Sequence, residues 1–327
     1  MSRSLVSVII PFYNAEAHIE ETISSVLSQT HSNVEVICVD DGSNDRSLEK
    51  VNQIRSKDQR VRLSTRNRLP KSGSTCRNIG ISLANGEFVV FLDADDVLAV
   101  DCIEKRLSVI EGTDYCFVVF PMASFSESTD RWKMTSRLNV KNFEYFFASG
   151  FAAWQVTSPI WRKDFLANEL KGFDESFQRL QDIELHLRAV VASEGNYLVM
   201  NNNKPDCFYR STLSLGLRHN KMLATLAAYE KFTKLVEHIH NMGMLSLRHK
   251  FSGSILIMYL TMLTTVNLLY REGVYDYKRK SIASIELWKY LTWYDKFIFY
   301  FTWLLRNPKL GSLVARGIRR ICQYRFL

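Results

Sequence analysis

The first half of the chain alternates between two hydrophobic periods. Val6-Ser-Val-Ile-Ile10 is a short β-rich run stopped by Pro11, and Ile19, Ile23, Val26 and Leu27 then recur at helical spacing. Val34–Val39 is again strand-like and ends in Asp40-Asp-Gly-Ser43. Asp45 has the character of a helix cap ahead of Leu48, Val51 and Ile54. Val61–Ser64 reads as a third strand. Ser74–Ala84 reads as a helix with Asn85-Gly86 as its C-terminal cap, and Glu87–Leu92 as a strand for the centre of a parallel sheet. Cys102–Ile110 is helical in pattern and Tyr115–Phe120 is a fifth strand. This alternation predicts an α/β fold with a doubly wound, mostly parallel sheet. From about 120 to 215 the pattern is less regular, with helical periodicity at Leu180–Val191, and beyond about 217 it is mainly helical. The expected division is therefore a domain at 1–215 followed by a helical region at 216–327.

Ligands of doubly wound sheets bind outside the carboxyl ends of the strands. The first strand is followed by Pro11-Phe-Tyr-Asn14, the second by Asp40-Asp41 and the fourth by Asp93-Ala-Asp-Asp96, so acidic groups converge on one rim. The glycine patterns of dinucleotide and P-loop sites are absent from the sequence. Asp93 and Asp95 are two apart, which on an extended backbone sends them to opposite faces. At a strand-to-turn break both can serve one ligand set. Hard carboxylate oxygens suit Mg²⁺ or Mn²⁺ bridging to a diphosphate; turn chemistry alone is the plainer account of the same residues.

Composition narrows the class. The 327 residues are 46% hydrophobic and 23% charged, ample for a packed core. The net charge of +8 lies entirely in residues 271–327, which hold twelve basic and four acidic residues and three of the six tryptophans. A general nucleic-acid footprint is thereby disfavoured. Six cysteines with no C-x-x-C pair point to a reducing compartment. The apolar stretch Ile255–Tyr270 is 16 residues long and contains three threonines and an asparagine. It falls short of the ~20 apolar residues of a spanning helix and reads as a buried or interface helix.

Val6-Ser-Val-Ile-Ile-Pro-Phe-Tyr-Asn14, Ser25-Val-Leu-Ser-Gln-Thr30, Val39-Asp-Asp-Gly-Ser43, Arg77-Asn-Ile-Gly80 and Phe91-Leu-Asp-Ala-Asp-Asp96 stand in the order found in family-2 glycosyltransferases of the GT-A fold. The resemblance is dense over residues 5–110 and patchy to about 215. It implies a nucleotide-sugar donor, most often a uridine diphosphate sugar. Pro11, Tyr13 and Asn14 then lie along the base, Asp41 accepts a hydrogen bond from uracil and Arg77 sits near the nucleotide. Asp93 sits near the ribose, and Asp95 is the direct ligand of Mn²⁺ or Mg²⁺. For Asp41 and Arg77 a turn and a helix surface are the plain alternatives.

Gly172-Phe-Asp-Glu175 and Arg179-Leu-Gln-Asp-Ile-Glu184 resemble the family's later Glu-Asp motif, whose second residue is the general base. Here that residue is Asp182, with Gln181 in place of the glutamate and Glu184 as the fallback. An acidic cap at a helix start is the alternative. Trp154 and Trp161 are candidates to stack on an acceptor sugar, or else core residues. Phe208-Tyr-Arg210 resembles a late segment near the diphosphate, and His186 is expected on a helix surface. The Q-x-x-R-W signature of processive members is absent, so transfer of one sugar is expected.

The implied activity is inverting, metal-dependent transfer from a nucleotide sugar to a saccharide hydroxyl. The acceptor is expected to be linked to a polyprenyl diphosphate, in capsule, O-antigen or exopolysaccharide synthesis. The basic, aromatic tail suggests a membrane-surface contact on the cytoplasmic face, or packing on the core or a second subunit. An inactive sugar-nucleotide-binding scaffold and a peripheral membrane protein are the alternative readings.

Overall fold

The computed structural model describes residues 4–244 apart from 127–128, 130 and 212–218. The Ile255–Tyr270 stretch and the basic tail, and the membrane contact expected of them, lie outside the described residues. The chain forms two compact units, which in their described parts are 4–138, 154–176 and 188–211, and 139–153, 177–187 and 219–244. Among the described residues no helix is long and apolar enough to cross a membrane.

The first unit opens with β1 (Val6–Phe12), α1 (Ile19–Leu27), β2 (Val34–Asp40), α2 (Ser47–Arg55), β3 (Val61–Thr65), α3 (Gly73–Leu83) and β4 (Phe88–Phe91). It continues through β5 (Val97–Leu98), α4 (Cys102–Ile110), β6 (Phe117–Val119), β7 (Met122–Phe125) and β8 (Trp132–Met134). The second unit contributes α5 (Phe143–Ala148). Next come β9 (Pro159–Arg162), a π-helical turn at Phe165–Glu169, α6 (Gln181–Ala192), β10 (Tyr197–Val199), β11 (Cys207–Arg210) and α7 (His219–Asn241).

Seven strands form the main sheet in the order β10-β6-β9-β4-β1-β2-β3. β4, β1, β2 and β3 run parallel, and β9 lies antiparallel between β4 and β6. Every residue of β1, β2 and β4 is buried, as their continuous apolar runs require of strands covered on both faces. Ile19, Ile23 and Val26 of α1 and Ile103, Leu107 and Ile110 of α4 pack into the same core as Val8, Ile10, Val36 and Val90. A smaller sheet has the order β5-β11-β7-β8. The expected α/β architecture with a mostly parallel sheet is therefore present.

Two polar features brace this unit. Arg106 is fully buried and donates through Nε and Nη2 to Asp206 at 2.8 and 2.7 Å, and through Nη1 to the Thr157 carbonyl at 2.8 Å. The pair ties α4 to the residue that leads into β11. At the amino ends of the strands, Glu35 accepts from Ser7 Oγ at 2.6 Å, Asn85 N at 2.6 Å and Arg62 Nη1 at 2.9 Å. Gly86 N donates to Ser7 Oγ at 2.9 Å, so Asn85-Gly86 anchors the start of β4 and is not a left-handed helix cap. α3 ends instead at Ala84 in an extended conformation. A Cβ on Gly86 would stand 2.7 Å from the Leu5 carbonyl and the Ser7 nitrogen, which explains the glycine.

In the second unit α7 buries Ala228, Tyr229, Phe232, Val236 and Ile239, and the Tyr229 hydroxyl donates to the Gly150 carbonyl at 3.1 Å. His186, expected at a surface, is fully buried with its ring 5.6 Å from that of Phe147. Its place at i+3 from Ile183 puts it on the apolar side of α6.

Candidate active site

The loops after β1 and β2 hold each other. Asn14 N donates to Ser43 Oγ at 3.1 Å, and Asn44 N donates back to Asn14 Oδ1 at 2.9 Å. Glu16 N donates to Asp45 at 3.0 Å, and Arg46 N returns to Glu16 at 2.9 Å. Asn14 sits at φ 48°, a left-handed conformation that asparagine tolerates better than most residues. The two motifs read separately from the sequence form one rim. Pro11 is buried within β1 beside Val39, and Tyr13 projects with 47% of its surface exposed.

Asp41 follows β2 and receives Arg66 Nε at 2.5 Å. Arg66 comes from the loop after β3, and its Nη1 donates to the Arg68 carbonyl at 2.7 Å. Arg66 was not among the residues singled out from sequence; an arginine after the third strand, facing acids after its neighbour, was the available signal. Cys76 also faces Asp41, and burial together with that carboxylate pushes its thiol up to about 12.

At the end of β4, Arg77 Nη2 donates to Asp93 at 2.5 Å. The Arg77 side chain is 7% exposed and that of Asp93 is 40% exposed, so one carboxylate edge stays open to solvent. Burial and the Asp93 charge raise the Asp95 carboxyl above its usual range. Asp96 is buried, and burial with Asp93 and Asp95 pushes it up to about 9. The turn is held from behind: Thr22 Oγ1 donates to the Ala94 and Asp96 carbonyls, and Arg210 donates from N to Asp96 Oδ1 at 3.0 Å and from Nε to the Asp95 carbonyl at 2.9 Å. The neighbouring Tyr209 is 42% exposed, and burial plus the three carboxylates raise its hydroxyl. Among the described residues no group of three or more histidine, cysteine or acidic side chains is arranged to hold a metal. The Asp93 and Asp95 oxygens are of the hard type that Mg²⁺ and Mn²⁺ take, one or two at a time alongside substrate phosphates.

Arg77 is set by its helical neighbour. Asn78 Nδ2 donates to the Phe173 carbonyl and to Glu175, both at 2.9 Å, and Asn78 Oδ1 accepts from Phe173 N at 2.8 Å. Gly172 adopts φ +70°, and a Cβ there would stand 2.3 Å from Asn78 Oδ1, so both conformation and space demand glycine. The Phe173 ring is thereby placed 5.3 Å from the Arg77 guanidinium. Burial would raise Glu175, but bonds from Asn78, Arg68 and Thr75 together with the Arg68 charge hold it below the ordinary range.

Asp182 belongs to the second unit. It lies in the first turn of α6, half-buried, and lines a pocket of about 380 Å³ with Ala152 and residues 178–183. Leu180, just ahead of the helix, sits at φ 62°, a conformation costly for leucine. Glu184 is 2% exposed. Trp154 and Trp161 are fully buried, and Trp161 lies in β9 with its ring 4.8 Å from Phe117. Neither offers a ring face to an acceptor: Trp161 is packed within a strand of the main sheet, and Trp154 is enclosed in the bend that precedes it.

Residues 7–162 match the model of Glycosyl transferase family 2. It is 38% identical over 118 residues to an Escherichia coli protein named UDP-Glc:alpha-D-GlcNAc-diphosphoundecaprenol beta-1,3-glucosyltransferase WfgD, covering 36% of this chain and 46% of that one. It is 34% identical over 193 residues to the amylovoran biosynthesis glycosyltransferase AmsB of Erwinia amylovora, covering 56% and 63%. The chain spans about half the length of the curated relatives it matches. Among solved structures it resembles S. aureus TarS 1-349 in complex with UDP-GlcNAc, with a TM-score of 0.58, 16% identity and coverage of 96% and 91%. It also resembles the mannosyltransferase PcManGT from Pyrobaculum calidifontis in complex with GDP-Man and Mn²⁺, with a TM-score of 0.56, 16% identity and coverage of 99% and 87%. At such identities the likeness is one of fold.

Proposed function

We propose that the protein transfers a single sugar from a uridine diphosphate sugar to a saccharide hydroxyl, with inversion, during assembly of a bacterial surface polysaccharide. One observation carries the reading. Asp41 with Arg66 and Arg77 with Asp93, followed by Asp95, are gathered at the carboxyl ends of adjacent parallel strands. The names of the similar E. coli and E. amylovora proteins favour the polysaccharide setting and a diphospholipid-linked acceptor. Tyr13, Asn14 and Asp41 receive the base, and Arg77 and Asp93 hold the ribose side. Asp95, with Asp93 beside it, would hold a divalent cation, which when bound offsets the charge gathering on the leaving diphosphate.

A sugar hydroxyl is a weak nucleophile until a positioned carboxylate takes its proton, and Asp182 is assigned that role. Attack opposite the diphosphate inverts the anomeric carbon with no covalent intermediate. The basic, aromatic residues 271–327 suit an anionic cytoplasmic membrane face, where a lipid-linked acceptor resides. The test is donor turnover by Asp182→Asn in the presence of Mn²⁺ and membrane-derived acceptor. Loss of about 10²–10⁴-fold in turnover with unchanged UDP affinity is expected. Turnover equal to wild type would remove Asp182 from the mechanism.

A further inference from the structure

The loop joining β3 to α3 carries one cation with a different kind of partner. Arg66 is tied to Asp41, Arg68 to Glu175 and, on the helix, Arg77 to Asp93. Lys71 has no carboxylate partner among the described residues. Its ammonium rests instead over the exposed ring of Tyr13, 3.5 Å from the centroid. The backbone around it is fixed, because Arg66 pins the start of the loop and Ser72 Oγ caps α3 by accepting from Thr75 N at 3.1 Å. What remains adjustable is the exposed lysine side chain.

An ammonium on an exposed tyrosine ring is held only weakly. A charge-assisted bond to a phosphate oxygen is about twice as strong as a neutral one, and lysine meets phosphate as a mobile point charge. A nucleoside diphosphate therefore outbids the ring for this cation. Its planar base in turn needs the ring face that the cation covers.

We propose that Lys71 is a phosphate-recognising residue of the donor pocket, parked on Tyr13 in the free protein and moved to the diphosphate when the nucleotide binds, which uncovers the ring. The assignment rests on the donor-site reading above and adds to it a residue that separates nucleoside diphosphates from their nucleosides.

Calorimetric binding of UDP and uridine, with GDP and guanosine in parallel, tests this on the full chain as wild type, Lys71→Met, Lys71→Arg and Asp41→Ala. Lys71→Met should weaken the diphosphate about tenfold and leave the nucleoside equal or tighter, because the ring is already bare. Lys71→Arg should keep most of the diphosphate affinity. An unchanged diphosphate-to-nucleoside ratio in Lys71→Met, or equal weakening of both, overturns the proposal while leaving the donor site standing, provided that Asp41→Ala weakens both ligands. A wild-type protein that binds no nucleotide, or binds one indifferently to Asp41→Ala, overturns the donor-site reading itself.

Discussion

The two ends of the main sheet both gather carboxylates, and they treat them in opposite ways. At the amino ends Glu35 is enclosed and saturated: a hydroxyl, main-chain and side-chain amides and an arginine all point at it. Burial alone would raise its carboxyl, yet those donors hold it below the usual range. At the carboxyl ends Asp93, Asp95 and Asp96 crowd one turn, and Asp95 and Asp96 are both raised. A carboxylate supplied with donors for its ionised form stabilises the fold. Carboxylates crowded so that they penalise one another's charge mark a candidate functional site and add nothing to the fold's stability.

Opposite responses to removing one carboxylate would sharpen that contrast. The largest effect is expected from Asp95→Asn, with sugar transfer down by about 10²–10³-fold, the scale of losing one charge-stabilising group at a reacting centre. Its thermal midpoint without divalent metal should equal or exceed wild type, since one like charge has gone. A midpoint several degrees lower would show that Asp95 is structural. Glu35→Ala should do the reverse, costing about 2–3 kcal/mol through the buried donors left behind, with transfer per folded molecule unchanged. Equal midpoints in a denaturation series would break the comparison.

The smallest effect is in pH. Because the folded Glu35 and Glu175 lie below the ordinary glutamate value of 4.5, their stabilisation is present above that pH. It is lost as the pH falls through the folded values. Wild type should therefore lose thermal stability below about pH 4.5 more steeply than Glu35→Gln; parallel curves would contradict the assignment.

The sequence made the carboxyl-end acids legible because strand period and turn chemistry are local. It placed Asp41 after the second strand and Asp93 and Asp95 after the fourth, where the structure has them. Glu35 was hidden inside an apolar run, and its donors come from residues 7, 62, 85 and 86. The same holds for Arg66 beside Asp41 and for Arg106 beside Asp206, pairs joined only by the topology. β9 was equally hidden, since nothing local at Pro159–Arg162 shows that it enters the sheet antiparallel. Trp161 and His186 show the limit from the other side. An aromatic ring's preference for a buried or a wet surface is decided by what covers it, and the covering segments lie far away in sequence.

The reciprocal bonds between Asn14 and Asn44 and between Glu16 and Arg46 have a consequence for the cost of binding. Two loops that order each other do so when the chain folds, so their lost freedom is charged to folding. A nucleotide arriving at that rim meets a surface already set. Its association should be governed by diffusion and charge, and its heat of binding should show little of the ordering that a floppy loop demands.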